Sequence, residues 1–452
     1  MPTVHENTQT THWSPRPPSS TWDPVQAMRW STIAGGADRF VSLGTLLQRV
    51  RQGVFSGIIE TGNVAVRMLR VGDINPILLG EGELHLLSDK LVQRHIASEG
   101  DVLVSRVGRL GLASCVTNAS TPLVPRDSIL AAKPIDSRWG AAIAAALSSN
   151  NAYGWMADRL TGSHAASLTI DQLNKTPIPS PSQFDFDSIH RLVDQAGLLM
   201  NEARKAVSQV RGEVGIELEN APTKSLSQLT FWLEDIAALR AWSWQDVERY
   251  SVRRKARGVI RGLHYLSEAV SFADHRASTE IVERIPSFTI DANDVRSDWY
   301  LALPEQQKSV GERATDENVL KRYFSVAEEA LLIPTVGDIT ASPVVVPQES
   351  IDGGNSPLMV PTSWLPIVGL QHPRALAVLL DHPFVQLQRR LGGAFSTVPH
   401  ITKEEIQELL IPAVPTSLLD RWEGLMRVAH NQFIHSIQLT KQAIATVEEW
   451  YT

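Results

Sequence analysis

The sequence predicts an α+β protein in which two similar globular units are each followed by a long amphipathic helix. Three observations lead to this prediction. Two stretches carry apolar residues at alternating steps of three and four, the spacing of a helix that packs along one seam. Short β-branched runs and apolar helical runs alternate before each of these stretches. Several short motifs also occur twice in the same order. We expect each globular unit to have a curved, largely antiparallel sheet.

Composition limits the classes of protein to which the chain can belong. Its 452 residues, 43% of them hydrophobic, suffice for two or three domains. The single cysteine, Cys115, excludes an intramolecular disulfide framework and a thiolate zinc cluster, and it fits a reducing cytoplasm. The polar N-terminus is not expected to be a secretory signal, and no apolar stretch is long enough to span a bilayer. Because the net charge is −7, any DNA-binding surface must be a local concentration of Arg and Lys.

The two long helices are predicted within residues 182–214 and 417–450. A constant offset superposes apolar or small residues of one helix on those of the other, so each helix would present one dry seam. We expect the seams to pair with each other. The predicted pairing residues are Ile189, Leu192, Ala196 and Met200 on the first helix and Trp422, Leu425, Ala429 and Phe433 on the second. The alternative is two unrelated amphipathic helices, each buried in its own domain.

Repeated motifs divide the rest of the chain. A strand, a Val-Gly turn and a second strand are predicted twice, followed each time by an apolar helical run and then by an Ile-Pro strand that leads to a long helix. The strand, turn and strand occupy residues 100–116 and 329–344, with the turns at Val107-Gly108 and Val336-Gly337. The helical runs begin at Arg138-Trp139 and Ser363-Trp364. The segments that contain the Ile-Pro strands are residues 168–179 and 401–412.

The order of unit, helix, unit and helix gives four segments, at residues 1–181, 182–218, 219–416 and 417–452. Pro222 is expected to close the first helix because proline cannot continue one. A Ser-x-x-Asp pattern is expected to cap the start of each helix. The two patterns are Ser182 with Asp185 and Ser417 with Asp420.

Two segments carry a resemblance to a known family. EGDVLVSRVGRLG, which begins at Glu99, resembles the strand and turn of the DNA-specificity subunits of type I restriction–modification systems. TGSHAASLTIDQLNKTPIPSP, which begins at Thr161, resembles the run of the same family into its helical spacer. The order and the duplication of these motifs extend the resemblance over nearly the whole chain. The second copy departs from the pattern, with Pro334 in place of Ser105.

The resemblance implies that residues 1–181 and 219–416 are target-recognition domains. It implies that residues 182–218 and 417–452 are spacer helices that pair as an antiparallel coiled coil, with pseudo-twofold symmetry. Such a chain binds a bipartite double-stranded DNA site and has no catalytic activity of its own. Its partners would be DNA adenine methyltransferase subunits, on which the cofactor S-adenosylmethionine is expected, and restriction, translocase or other defence subunits. No cofactor or metal is expected in this chain, which would act in the cytoplasm without a membrane partner.

Candidate DNA contacts are cationic and polar residues at the turns of the two units, because Arg and Lys bind phosphates and Arg also reads guanine. The candidates are Arg67, Arg70, Arg106, Arg109, Ser163 and His164 in the first unit and Arg253, Arg254, Lys255, Arg257, Lys321 and Arg322 in the second. For each Arg or Lys the alternative is a solvated surface side chain, and for the run at residues 253–257 it is a solvated helix face. For His164 the alternative is a structural role.

Several enzymatic motifs are absent from the sequence, whereas the acid–acid–Lys triad of a nuclease has too loose a spacing to be excluded in this way. It has no Asn/Asp-Pro-Pro-Tyr run of an amino-methyltransferase, no phosphate-binding loop and no His spacing typical of a zinc site. We therefore expect a non-enzymatic DNA-recognition subunit. One alternative is a scaffold whose duplicated units bind protein without DNA contact, and another is a specificity-like subunit of a different phage-defence operon. The placement of the basic residues separates DNA recognition from the scaffold.

Overall fold

The computed structural model describes residues 39–55, 61–80, 82–108, 110–117, 121–157, 167–220, 263–269, 288–289, 295–296, 299–303, 323–348, 351, 358–393 and 399–451. The chain divides into two compact units, one formed by Met1–Asn201 with Gln432–Thr452 and the other by Glu202–Asn431. Both units combine helices with open, mainly antiparallel sheets, so the predicted α+β class is confirmed. Each long helix contributes one part to each unit.

The first unit is built from short strands and helices. Its described strands are β1 (Phe40–Ser42), β2 (Leu47–Gln52), β3 (Thr61–Leu69), β4 (Glu83–Leu87), β5 (Val102–Ser105), β6 (Ala113–Cys115), β7 (Leu123–Pro125), β8 (Ile129–Pro134) and β9 (Pro177–Pro179). Its described helices are α1 (Asp89–His95), α2 (Gly140–Ser148), α3 (Asn150–Ala157), α4 (Ile170–Asn174) and the start of the first long helix, α5 (Phe186–Asn220). The sheets have the strand orders β2–β8–β5–β6, β4–β3–β7 and β1–β9, and only the pair β3–β7 is parallel.

The strand β5 lies at the centre of the first unit and is buried along its whole length, as expected for a strand covered on both faces. Helix α2, an alanine-rich run, is almost completely buried. It begins at Gly140, where a Cβ would overlap the carbonyl of Gly100. Gly100 has a φ of +82°, a conformation that favours glycine. The glycine of the motif EGDVLVS is therefore required by its backbone conformation and by the close approach of α2.

The second unit has its own set of elements. Its described strands are β10 (Leu263–Tyr265), β11 (Phe288–Thr289), β12 (Val295–Arg296), β13 (Leu301–Ala302), β14 (Tyr323–Val326), β15 (Ala330–Pro334), β16 (Val344–Val346), β17 (Leu358–Pro361), β18 (Trp364–Val368) and β19 (Leu410–Pro412). Its described helices are α6 (Leu266–Ala269), α7 (Pro373–Leu380), α8 (Pro383–Gly393), α9 (Lys403–Gln407) and the start of the second long helix, α10 (Thr416–Trp450). The sheets have the strand orders β12–β13–β16–β15–β18, β11–β17–β14 and β10–β19.

Corresponding strands of the two units pair in the same way. The central strand β5 is antiparallel to β6 and β8, and its counterpart β15 is antiparallel to β16 and β18. The parallel pair β3–β7 has its counterpart in β11–β17. The short pair β1–β9 corresponds to β10–β19. Before β9 and β19, Thr169 and Thr402 each form a capping box at the start of a short helix. The strand and turn motifs predicted from the sequence thus occupy equivalent places, and so do these two capping boxes.

Two buried residues that are not glycine, Ile77 and Tyr300, have positive φ values, of 66° and 53°. The carbonyl of Ile77 accepts from the N–H of Cys115, and the carbonyl of Tyr300 accepts from the N–H of Val345. Cys115 and Val345 are paired with β5 and β15 at corresponding positions. The same backbone strain therefore occurs at the same place in both units, although Ile and Tyr share no chemistry.

The second apolar run after a Trp was predicted as a helix, and this prediction is wrong. Trp364 opens strand β18, and helix α7 begins only at Pro373. The run Trp-Leu-Pro-Ile-Val contains β-branched residues and a proline, which disfavour a helix. Ser363 is the counterpart of Ser128, which precedes β8, so Ser363-Trp364 does not correspond to Arg138-Trp139. Arg138-Trp139 does lead into helix α2 as predicted.

Both predicted long helices are present, and each has 35 residues. Their predicted caps are wrong. The helix α5 begins at Phe186, where the side chain of Asp185 accepts from the backbone N–H of Ser188 at 3.0 Å, so the capping residue is Asp185 rather than Ser182. The helix α10 begins at Thr416, which places Ser417 inside it. Asp420 lies 2.7 Å from the ring of His372.

Each unit contains contacts between a part of α5 and a part of α10. In the first unit, the ring of Phe186, at the start of α5, stacks on that of Trp450, at the end of α10, with centroids 5.7 Å apart. In the second unit, Glu213 near the end of α5 accepts from the indole N–H of Trp422 at 2.9 Å. The predicted pairing residues are buried or half-buried: Ile189, Leu192, Ala196, Met200, Trp422, Leu425, Ala429 and Phe433.

Candidate nucleic-acid interface

Of the predicted DNA contacts, Arg67, Arg70 and Arg106 lie within the described residues. The remaining ones lie outside them: Arg109, Ser163, His164, Arg253, Arg254, Lys255, Arg257, Lys321 and Arg322. The geometry of the candidate interface therefore comes from the first unit and from the equivalent backbone of the second.

Three turns of the first unit come together beyond the ends of its strands. Because β3 and β7 are parallel and Leu69 lies opposite Pro125, Arg70 and Arg126 follow side by side, and Arg126 donates its backbone N–H to Leu69. After β5, Arg106 donates its N–H to the carbonyl of Ser128 at 2.8 Å. We call the turns at residues 70–73, 106–108 and 126–128 the strand-end surface.

The packing of two glycine-containing turns confirms that this surface is continuous. A Cβ placed on Gly108 would lie 3.6 Å from Cγ1 of Val71, so the turn after β5 touches the 3-10 turn Val71–Asp73. Gly108 has a φ of +71°, which explains the glycine of the Val-Gly turn. Arg70, Arg106 and Arg126 are thus presented by three adjacent turns.

Arg70 and Arg106 on the strand-end surface differ in whether an acidic side chain balances their charge. Arg70 is exposed and forms an ion pair of 2.5 Å with Glu83 on β4. The nearby ring of His85 and the charge of Arg70 hold the pKa of Glu83 below its ordinary value. Arg106 is half-buried, and no hydrogen bond or ion pair joins its guanidinium to another described residue. Arg106 is therefore the predicted contact that is best placed to accept an anionic partner.

Arg67 is not part of the strand-end surface. It lies within β3, opposite Leu84 and Leu123, and is half-buried. One guanidinium nitrogen donates to the carbonyl of Gly82 at 3.4 Å. Arg126 was not predicted, although its position between two short β runs in Pro125-Arg126-Asp127 is the kind of turn signal that could have identified it.

A second set of cations in the first unit supports the fold. Arg51 on β2 donates to the carbonyls of Arg94 and Ile96 and so satisfies the C-terminal end of α1. Burial, followed by the charge of Arg49, lowers the pKa of Arg51. Arg51 is thus occupied by backbone groups, and we do not include it in the candidate interface.

The second unit repeats the turn that holds Arg106, with a different residue. Thr335 donates its N–H to the carbonyl of Ser363 at 2.8 Å and accepts from the N–H of Ile401 at 2.9 Å. Arg106 makes the same two bonds with Ser128 and Leu168. The turn backbone is therefore common to both units, whereas its side chain is an arginine in one and a threonine in the other.

Among the described residues, no group of three or more His, Cys, Asp or Glu side chains could hold a metal ion. None of the helices in this part of the chain is both long and apolar enough to cross a membrane.

No family model and no curated protein matches the sequence. Among solved structures, the chain is similar to the S subunit of a type I restriction–modification system from M. genitalium, with 11% identity over 91% of this chain and 94% of that one and a TM-score of 0.34. It is also similar to the HsdS subunit from Thermoanaerobacter tengcongensis, with 13% identity, 91% and 96% coverage and a TM-score of 0.29. A third similar structure belongs to work on the assembly and conformational transition of a type I restriction–modification system, with 14% identity, 91% and 97% coverage and a TM-score of 0.29.

These structures come from the class of protein that EGDVLVSRVGRLG and TGSHAASLTIDQLNKTPIPSP resemble. The identities and TM-scores of all three are low.

Proposed function

We propose that this chain is a non-catalytic DNA-specificity subunit that recognises a bipartite double-stranded site and directs adenine methyltransferase subunits to it. Restriction, translocase or other defence subunits are further partners of such a complex. In this proposal, residues 1–181 and 219–416 are target-recognition domains, and residues 182–218 and 417–452 are spacers.

The observation that carries the proposal is the turn that is shared by the two units. Arg106 and Thr335 occupy the same backbone frame, fixed by the same pair of hydrogen bonds. Two units that read two different blocks of DNA need a common frame with different side chains on it. Arg106 is half-buried, and an arginine can bind phosphate or the O6 and N7 atoms of guanine. Thr335 is buried and its hydroxyl donates to the carbonyl of Thr362 at 3.0 Å, so the second unit would contact DNA through other residues.

The charge of the first unit fits the proposal because it is local. The chain has a net charge of −7, yet Arg70, Arg106 and Arg126 lie on adjacent turns. Arg70 is paired with Glu83, and Asp73 and Asp127 lie on the same turns, so the argument rests mainly on Arg106. A local group of cations is what a protein of acidic overall charge needs in order to bind a polyanion.

The long helices would hold the two reading surfaces apart. In the first unit the start of α5 contacts the end of α10, and in the second unit the end of α5 contacts the start of α10. Both contacts fit an antiparallel pair, in which Ile189, Leu192, Ala196 and Met200 pack against the second helix. A 35-residue helix is about 52 Å long, and this corresponds to roughly 15 base pairs of B-DNA. That length leaves room for two short blocks and a gap.

The proposal is tested by sequencing methylated adenines in a host with its methylase subunits, with and without this chain. We expect methylation at one bipartite sequence that depends on the chain. Purified with its partners, the chain should bind a duplex of that sequence with an affinity that falls steeply with salt. Methylation that does not change when the chain is deleted, together with binding that does not respond to salt, would contradict the proposal.

A protein-binding scaffold is the second candidate, and one observation favours it. Leu84 and Leu86 on the edge strand β4 are exposed by 64% and 55%, as expected for a strand that accepts a protein partner. If the protein is a scaffold, Leu84→Ser with Leu86→Ser should abolish assembly with the partner subunits, and neither the wild type nor the variant should bind DNA. The DNA-recognition proposal instead expects Arg106→Ala to weaken DNA binding while assembly persists.

A further inference from the structure

We infer that a buried polar network in the second unit, centred on Arg374, fixes the length of the gap between the two DNA blocks that the protein accepts. This inference rests on the proposed function, since it concerns how strictly the second reading surface is held. Arg374 acts here as a positioning residue and does not itself contact DNA.

The centre of the network is a guanidinium with three partners. Arg374, only 4% exposed, lies at the start of α7. It forms ion pairs of 2.8 Å with Glu423 on α10 and 2.6 Å with Glu329, the residue before β15. Its Nε donates to Nδ1 of His430, also on α10, at 3.2 Å. Arg374 therefore links the central strand of the unit to the second long helix.

Glu423 has a second role, at the N-terminus of α7. Its carboxylate accepts from the backbone N–H groups of Arg374 and Ala375 at 2.8 and 3.0 Å. A carboxylate in this position satisfies donors that no helical carbonyl can reach, and it is favoured by the helix dipole. The side chain of Glu423 on α10 thus binds both the N-terminal N–H groups of α7 and the guanidinium of Arg374.

His430 extends the network toward the first long helix. Because its Nδ1 accepts from Arg374, its Nε2 carries the proton and donates to the carbonyl of Trp299 at 2.7 Å. Burial, followed by the charge of Arg374, lowers the pKa of His430 to about 3. The ring is therefore neutral at physiological pH, which the two hydrogen bonds require.

The polar network reaches α5 through Tyr300, the residue that follows Trp299. The hydroxyl of Tyr300 donates to Asp381 at 2.8 Å and accepts from Nε of Arg211 at 2.8 Å. The guanidinium of Arg211 also lies 4.9 Å from the centroid of the Tyr300 ring. Both long helices are thus attached to the core of the second unit by directional polar contacts, through Arg211 on α5 and Glu423 on α10.

Around the same two helices, the first unit has stacked aromatic rings and exposed polar contacts. Phe184 stacks on Trp450 and Phe40 on Tyr451. The backbone N–H of Asn150 donates to Glu448 at 2.9 Å, and Arg138 forms an exposed ion pair of 3.8 Å with Asp187. The second residue of α2 is Ala141, where α7 has Arg374. Stacked rings tolerate small rotations, whereas a fork of charged hydrogen bonds has one good geometry.

Stability alone gives little reason for such a network. A buried ion pair is often no better for stability than apolar residues of the same size, because both charges lose their hydration. Its best-attested use is to select one arrangement among several of similar energy. The arrangement selected here is the orientation of the second unit on α5 and α10.

That orientation has a direct consequence for DNA recognition. If the second unit rotates on its helices by a small angle, its reading surface moves along the duplex, where one base pair corresponds to about 3.4 Å. A rigid attachment therefore accepts one gap length, and a loose attachment accepts neighbouring lengths as well. The identity of the bases in the two blocks does not depend on the network.

The test uses the full chain with its methylase subunits and a library of duplexes. Each duplex carries the two blocks found for the wild-type complex, with the gap at its natural length or changed by one or two base pairs. Methylated adenines are read by sequencing. The main variant is Arg374→Met with Glu423→Gln, which removes the two charges of the Arg374–Glu423 pair while the glutamine oxygen still accepts from the N-terminus of α7. Glu329 keeps its charge, and its side chain is 25% exposed. The matched control is Lys175→Met with Asp171→Asn, an exposed ion pair between α4 and the residue that follows it.

We expect the double variant at Arg374 and Glu423 to lower the ratio of methylation at the natural gap to that at neighbouring gaps by about tenfold. The block sequences should stay unchanged, and the control pair should behave like wild type. A folded variant that loses methylation equally at all gaps, or keeps the wild-type ratio, would overturn the inference.

A second variant covers the case in which the double variant does not fold. Arg374→Lys keeps the charge but loses the fork that reaches Glu329, Glu423 and His430 together. We expect the same broadening of the gap, and an unchanged gap ratio in folded Arg374→Lys would overturn the inference as well. A wild-type complex that methylates no bipartite site would instead overturn the proposed function itself.

Discussion

Trp422 donates its indole N–H to the carboxylate of Glu213 across 2.9 Å, and the Trp422 side chain has no exposed surface. Glu213 also accepts from Gln209 at 2.9 Å and from Arg421 at 2.7 Å. The hydrogen bond from Gln209 lowers the pKa of Glu213, and so does the hydrogen bond from Trp422. Burial acts in the opposite direction, but the pKa stays below its ordinary value. A buried indole and a charged carboxylate therefore join α5 to α10 within the second unit.

The two parts of the Trp422 contact can be separated by substitution. Trp422→Phe keeps most of the apolar volume and leaves Glu213 with two other donors, so we expect a loss of about 1 to 2 kcal/mol in the free energy of unfolding. Trp422→Ala should cost about 3 to 5 kcal/mol because it opens a cavity. Both values come from denaturant unfolding curves. The control is Arg421→Met, whose exposed ion pair should matter by less than about 1 kcal/mol. Equal losses in the two Trp422 variants would contradict this explanation.

The neutral state of His430 predicts a pH dependence of stability. Its pKa in the folded protein is about 3, below the ordinary value of 6.5, so the unfolded chain binds the additional proton between these values. The free energy of unfolding should therefore fall as the pH falls below about 6.5, at a limiting slope of about 1.4 kcal/mol per pH unit. Above pH 7 the contribution is constant.

The measurement compares unfolding at several pH values between 7 and 5, a range in which most carboxylates stay charged. The variant His430→Gln can still accept from Arg374 and donate to Trp299, but it does not titrate. We expect a flatter profile for His430→Gln, and identical slopes for the variant and the wild type would rule out His430 as the cause.

The sequence identified the elements whose signals are local. The long helices follow from their apolar spacing, and strands β5 and β16 beside the two Val-Gly turns follow from short β-branched runs. The repeated segments at residues 168–179 and 401–412 do form equivalent elements, although the capping boxes at Thr169 and Thr402 within them were not predicted. In each case the residues that decide the structure lie within one turn or one strand of each other.

Features that depend on long-range contacts were missed. The network of Arg374 joins residues 45 to 56 positions apart, and no periodicity connects them. The positive φ of Ile77 is held by Cys115, and a β-branched residue gives no warning of that conformation. Strand β18 was read as a helix because an apolar run of that length fits either structure. Arg126 has a local turn signal, but its position beside Arg70 follows from the parallel pairing of β3 and β7, which no local pattern predicts.

Two glycines offer a matched test of backbone conformation. Gly337 in the second Val-Gly turn has a φ of +81°, and Gly212 lies within α5; a Cβ at either would meet no atom within 4 Å. Gly337→Ala should lower the free energy of unfolding by about 1 kcal/mol, because only the left-handed backbone opposes it. Gly212→Ala should raise it by about 1 kcal/mol, because alanine favours a helix. A stabilising effect of Gly337→Ala in unfolding curves would contradict the assigned turn conformation.

The arginine of the first Val-Gly turn can be tested through the salt dependence of DNA binding. If Arg106 neutralises a phosphate, Arg106→Ala should weaken binding by a similar factor for all duplexes and reduce the slope of log K against log salt by about one. If it reads guanine, the loss should be confined to one position of the site, at about 1 to 3 kcal/mol. The control is Lys175→Ala, and an affinity of Arg106→Ala equal to that of wild type at every salt concentration would exclude Arg106 from the interface.

The equivalence of the two turns predicts that the units read independently. Arg106 and Thr335 stand in the same backbone frame on the strands of their own units. Under the proposed function, each unit would therefore carry its own reading surface. Replacing residues 219–416 by the same unit of a related chain should therefore change one block of the methylated site and leave the other unchanged. The exchange keeps residues 182–218 and 417–452, but the network of Arg374 extends from the exchanged unit to Glu423 and His430.

The related chain must therefore carry Arg at the position of Arg374. With this Arg in place, the gap should stay constant, and any change in the blocks can be assigned to the exchanged unit. Methylome sequencing measures the outcome, and a change in both blocks would show that the two reading surfaces depend on each other.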